Sequence, residues 1–161
     1  MRRPFFATQE RRLSLLREIS EWDGTRFWPG CGARARKGVG ADCVTFVERV
    51  LVNLGAIQPI EWPPYVVVGA GAGMRELIVQ SVGRIPEVET LWRPSDSGRP
   101  ILEPGDFILR SVGNDHHHLA IFVGNQTFRS MRPRGLSSSN RFDRHATRDL
   151  HRVYRVYEPT I

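Results

Sequence analysis

The apolar residues of this chain change their spacing part-way along, and that change limits the folds open to it. Through the first half they recur every three or four positions. After Gly105 they recur every second position. The first rhythm is that of a helix with one buried face, and the second that of a strand with one buried face. Leu13, Leu16 and Ile19, widened by Leu15, predict a first helix over Gln9 to Trp22, ended by Asp23-Gly24. Val44, Val47, Val50, Leu51 and Leu54 predict a second that starts at Asp42 or Cys43, with Gly55 just past its end. Met74 to Val82 predicts a short third helix. Strands are expected at Phe107–Arg110 and His117–Val123, with a hairpin turn at Gly124-Asn125, a return strand at Thr127–Met131 and a closing strand at His151–Tyr157. Residues 24–41 read as a glycine- and arginine-rich loop, Gly69 to Gly73 as a flexible bend, and Glu87 to Pro104 as irregular surface. Helices followed by antiparallel strands give an α+β class, in one domain over residues 1–161.

A chain of 161 residues can bury a core without disulfide or metal staples. Its two cysteines, Cys31 and Cys43, make no disulfide framework and lack metal-ligand spacing. No apolar run approaches the ~20 residues of a membrane helix, so no membrane insertion is expected. The opening Met-Arg-Arg-Pro-Phe-Phe-Ala stops being apolar at Thr8, so no export signal is expected and delivery to any wall would fall to another component. Net charge is +6, almost all from arginine, with Lys37 the only lysine. That bias suits a polyanion. The arginines are scattered, however, and no nucleic-acid motif accompanies them, so no nucleic-acid partner is expected.

Cys43 falls in the first turn of an apolar-striped helix, where unpaired N–H groups and the helix dipole favour a thiolate. A structural cysteine would also sit well there. Asp42 is placed to cap that helix. His118 opens the strand His-Leu-Ala-Ile-Phe-Val-Gly. There His118, Ala120 and Phe122 face one way and Leu119, Ile121 and Val123 the other, so His118 is a candidate to reach a helix N-terminus across a cleft. His116-His117-His118 could direct only its first and last rings to one face, and with no further ligands in sight no metal is expected.

Four blocks then resemble the NlpC/P60 cysteine peptidases. Ala41-Asp42-Cys43-Val44-Thr45-Phe46-Val47 is similar to the block around their nucleophile. Pro104-Gly105-Asp106-Phe107-Ile108-Leu109 is similar to their Pro-Gly-Asp strand. His118-Leu-Ala-Ile-Phe-Val-Gly124 is similar to the segment that carries their base. Trp22-Asp-Gly24-Thr25-Arg-Phe27 is similar to the motif that leads into their nucleophile loop. The long glycine-rich approach to Cys43 resembles the phage-tail and gene-transfer-agent branch. The resemblance implies a papain-like fold and a peptidoglycan stem peptide as substrate, cut between γ-D-glutamate and a diamino acid. It implies Cys43 as nucleophile, His118 as base and no cofactor. It also implies Asp42 as a holder of the substrate amine, with Phe27 and Trp28 beside the substrate. Phage tail-tip or hub proteins are the partners it suggests.

The chain departs from the family in three places. The third catalytic position falls on Ser130, which orients an imidazole weakly. Val44-Thr45 replaces a small Ser-Gly pair, and Phe27 lacks the family's tyrosine hydroxyl. These departures leave open a catalytically weak or inactive structural part of a tail tip, and the Asp42-to-Glu48 block, which also resembles amidase-like cousins, leaves open a related amidase acting at muramoyl-L-alanine. Arg34, Arg36 and Lys37 are candidates for substrate carboxylates. Cys31 reads as incidental in an open loop, Ser137-Ser138-Ser139 as a turn, and Trp62-Pro63-Pro64-Tyr65 as either cleft lining or a loop brace.

Overall fold

The computed structural model describes residues 1–65, 71–112, 116–140 and 150–160. Helix α1 (Gln9–Ser20) starts at Thr8, whose hydroxyl accepts the Arg11 N–H at 3.3 Å. Its buried line is Leu15, Glu18, Ile19 and Trp22, whereas Leu13 and Leu16 are about half exposed. The expected stripe is therefore turned round the helix. Glu18 causes the difference: it is buried because it accepts from Trp22 Nε1 (3.2 Å), Lys37 Nζ (2.6 Å) and Asn53 Nδ2 (2.7 Å), which ties α1 to the following loop and the second helix. A single 3-10 turn, Gly32–Arg34, interrupts that loop.

Helix α2 (Cys43–Asn53) buries eight of its eleven residues, Val44, Phe46, Val47, Val50 and Leu51 among them. It closes at Gly55, whose φ of +72° only glycine adopts without strain. Helix α3 (Gly71–Gly83) is longer than expected. The bend expected at Gly69 to Gly73 lies partly outside the described residues, and from Gly71 the chain is already helical.

Among the described residues six antiparallel strands follow: β1 (Val88–Trp92), β2 (Phe107–Val112), β3 (His116–Gly124), β4 (Thr127–Arg132), β5 (Gly135–Asn140) and β6 (Leu150–Val156). They lie in the order β1-β6-β2-β3-β4-β5, so the last strand inserts between the first two. Two strands correct the sequence expectations. Val88–Trp92, expected as irregular surface, pairs with β6, and the serines expected as a turn form β5 against β4. Val88–Trp92 exposes Glu89 and leaves its other residues half-buried, and a run of serines carries no apolar alternation, so neither gives a period-two signal.

The two faces of the sheet carry separate cores. Phe107, Leu109, Leu119, Ile121 and Met131 join α1 and α2 in the main one. Ile108, Ala120, Phe128, Leu150 and Val153 form a smaller cluster on the reverse. Helices on one face of an antiparallel sheet make the α+β layout the sequence predicts. No helix among the described residues is long and apolar enough to cross a membrane.

Candidate active site

The site begins with the cap of α2. Asp42 Oδ1 accepts from Val44 N–H (3.1 Å), Thr45 N–H (2.8 Å) and Thr45 Oγ1 (2.9 Å), and Thr45 Oγ1 accepts the Asp42 N–H at 3.1 Å. The capping box is complete. Oδ2 accepts from Gly30 N–H (3.1 Å) and from the Tyr65 hydroxyl (2.8 Å). With five donors on roughly four lone-pair sites, the fully buried carboxylate has no capacity left over. Of the two roles open to Asp42, capping is the one realised in this structure.

That cap presses Cys43 against the sheet. Its Sγ lies 3.9 Å from the carbonyl oxygen of His117, and the Leu119 N–H also bears on it. These two backbone groups flank residue 118. The ladder between β3 and β4 runs from Ile121–Arg129 to Gly124–Thr127, so at residues 117–119 the sulfur sits along the outer edge of β3. Leu119 and Ile121 pack toward α2 and Ala120 packs on the reverse, which puts the His117 side chain on the α2 face and His118 on the other. The thiol therefore lies at the edge of β3 on the α2 face, His118 turns to the opposite face, and no hydrogen bond joins them.

The electrostatics correct a second expectation. Burial pushes the Cys43 thiol up to about 12, and the Asp42 charge adds to the rise. The cap that begins the helix also occupies the N–H groups expected to favour a thiolate, and supplies a negative charge beside it. Burial likewise drives His118 down to about 3, helped by the Arg132 and Arg110 charges on its own side. At neutral pH Cys43 is a neutral thiol and His118 a neutral imidazole.

A strap covers the start of α2. Trp62 Nε1 donates to buried Glu48, and Tyr65 donates to Asp42. The two rings meet edge to face, with centroids 6.0 Å apart. Trp62-Pro63-Pro64-Tyr65 is thus more than a surface-loop brace, since it bonds to Asp42 and Glu48 at the start of α2. Burial and the Asp42 charge hold the Tyr65 hydroxyl well above its usual range, so it stays a donor. Tyr65 carries a hydroxyl to Asp42 although Phe27 has none. The Trp-Pro-Pro-Tyr rigidity was the only sequence sign of it, and nothing local revealed which carboxylate it would find.

The remaining candidates divide. Phe27 bridges Ala41, and the Trp28 N–H donates to the Ala41 carbonyl at 2.9 Å, so both stand beside the turn that leads into Cys43. Ser130 is buried on the His118 side of the sheet, but its hydroxyl pairs with Ser137 Oγ at 3.1 Å, and no bond to the imidazole is formed. As an orienting third residue it is therefore corrected: β5, which the sequence hid, has taken its hydroxyl. Lys37 is spent on Glu18 and Glu21. Cys31 is not in an open loop but buried, with Sγ 3.4 Å from Thr45 Oγ1. No metal-binding group of three or more such side chains occurs among the described residues.

No protein-family model matches the chain, and no curated protein is significantly similar to it. Among solved structures it superposes on a Staphylococcus aureus protein described as similar to a lipoprotein of the NLP/P60 family, at 15% identity and a TM-score of 0.59. The match covers 97% of this chain and 44% of that one, so the chain spans less than half of that protein's length. The likeness is one of fold, from the first helix to the last strand.

Proposed function

We propose that the chain is a thiol hydrolase of the NlpC/P60 kind, with Cys43 as nucleophile and His118 as base, acting on the stem peptide of cell-wall peptidoglycan. The observation that carries the reading is the seat of the sulfur: the first residue of a capped helix, held against the two backbone groups that flank His118. The NLP/P60 fold neighbour supports the same reading.

In this mechanism substrate enters by lifting the Trp62–Tyr65 strap, and His118 turns about the outer edge of β3 to reach the sulfur. His118 takes the Cys43 proton as the sulfur attacks the scissile carbonyl carbon. The Cys43 N–H, which the Asp42 cap leaves beside the sulfur, supports the oxyanion. Such a donor contributes about 3 kcal/mol in comparable sites. His118 then protonates the leaving nitrogen as the C–N bond breaks. Water, deprotonated by His118, releases the acid and restores the thiol. The bond between γ-D-glutamate and the diamino acid is the proposed target, with a phage tail tip carrying the protein to the wall.

A second reading has an observation of its own. The thiol is raised, the base is lowered, and Ser130 is tied to Ser137. That combination suits a structural tail component with a closed, unreactive site. One experiment separates the two. Purified peptidoglycan is incubated with the protein and with Cys43→Ala, and the fragments are weighed by mass spectrometry. Stem-peptide cleavage that disappears in Cys43→Ala supports the hydrolase, whereas equal digestion by both, or by neither, removes it. Fragments cut at muramoyl-L-alanine would reassign it to an amidase.

A further inference from the structure

The loop that delivers Cys43 carries a cluster the hydrolytic steps do not use. Arg26 and Arg34 both attend the half-buried Trp28, their guanidinium carbons 5.5 and 4.7 Å from its ring centroid. Surface arginines are ordinarily loose, but these two are tied. Arg26 Nε donates to the Val39 carbonyl at 3.0 Å and Arg34 Nε to the Cys31 carbonyl at 3.3 Å. Each tie uses the inner nitrogen and leaves the outer prongs of the fork to another partner. No ion pair among the described residues takes Arg26 or Arg34, although the chain's single lysine, in the same loop, binds two glutamates.

The indole between them is fixed as well. The Trp28 N–H donates to Ala41, and Ala41 N–H donates back to the Arg26 carbonyl at 3.1 Å. A Cβ on Gly40 would fall 2.8 Å from Trp28 Cβ, so glycine lets the ring lie flat on the loop. Two tied cationic forks beside one indole, on a loop that hydrogen-bonds the residue two before Cys43, are organised before any ligand arrives. A planar carboxylate is the group a guanidinium fork matches best. Asp42, the acid nearest the sulfur, is saturated and offers nothing to a cationic substrate group.

We propose that Arg26, Trp28 and Arg34 form a carboxylate-binding subsite on the approach to Cys43, selecting an acidic peptide. The γ-linkage of a stem peptide leaves such a carboxylate on its glutamate. The assignment rests on the hydrolase reading for its substrate, but binding tests it without turnover. The Cys43→Ala protein is titrated calorimetrically with L-alanyl-γ-D-glutamyl-diaminopimelate and with the same peptide amidated at every carboxyl. The acidic peptide should bind about tenfold tighter, as one or two charge-assisted bonds imply. Adding Arg26→Gln and Arg34→Gln should erase the difference, and Arg99→Gln, an exposed charge elsewhere, should preserve it. Equal binding of the two peptides, no binding by either, or no effect of the arginine pair overturns the subsite. Displacement by equimolar inorganic phosphate would make it a general anion site and overturn the carboxylate assignment. Digestion of wall fragments by protein with Cys43 intact judges the hydrolase separately.

Discussion

Cys43 is pulled in two directions by the residue before it. Asp42 starts the helix that positions the sulfur, and the same carboxylate raises the thiol by its charge. In the proposed mechanism, reactivity depends on lifting the strap. Removing the Tyr65 hydroxyl with Tyr65→Phe should quicken iodoacetamide labelling of Cys43 several-fold at pH 7.5, with the modified cysteine identified by peptide mass mapping. An unchanged rate would mean that the strap does not gate the thiol. His118 has a thermodynamic signature. Its pKa is lowered from 6.5 to about 3, so the unfolded chain takes up a proton that the folded protein refuses. Stability should therefore fall as the pH drops from about 6.5 toward about 3, by about 2 kcal/mol between pH 7 and pH 5. His118→Gln should flatten that limb when urea midpoints at the two pH values are compared. The cap and the strand alternation were legible in the sequence, because each depends on neighbours within a few residues. The sealing of the thiol was not, because Tyr65 lies 23 positions from the carboxylate it meets.

At the scale of elements, the insertion of β6 between β1 and β2 leans on one ion pair, with its carboxylate buried and its arginine half-buried. Arg155 Nε and Nη2 reach Asp106 Oδ1 and Oδ2, both at 2.8 Å, and the Glu103 N–H adds a third bond at 2.7 Å. Arg155→Ala would strand a carboxylate that is almost wholly buried, and should lower stability by about 3 kcal/mol in denaturant melts. Arg155→Leu with Asp106→Leu should recover most of it, because both charges then leave the interior together. The strands of the central sheet were readable because they are rich in apolar residues, which pack on both faces of the sheet. Val88–Trp92 was not, since Glu89 is exposed and the other four residues are only half-buried. Ser137 and its neighbours were not, since a strand of hydroxyls has the composition of a turn. The face of α1 was misjudged for a related reason. Glu18 is buried by partners from two other segments, and hydrophobic spacing carries no information about them.

Across the whole molecule, the two ends of the described chain are laced together. Phe5 N–H donates to the Val156 carbonyl and Glu158 N–H to the Arg3 carbonyl, both at 2.9 Å, and Arg11 pairs with Glu158 at 2.5 Å. Phe6 lies flat where a Cβ on Gly105 would intrude to 2.0 Å, so the N-terminal segment also covers the start of β2. Deleting residues 1–7 removes two buried phenylalanines and should cost about 4 kcal/mol, seen as a lower melting temperature of a transition that stays single. The lacing has a geometric corollary. A peptide bridge of a few residues could splice Glu158 to Arg3, and the sequence could be cut afresh in the exposed turn near Ser97. Such a rewired ring-and-reopen version should regain the same sheet order, because the seam it closes is already a seam of the native sheet.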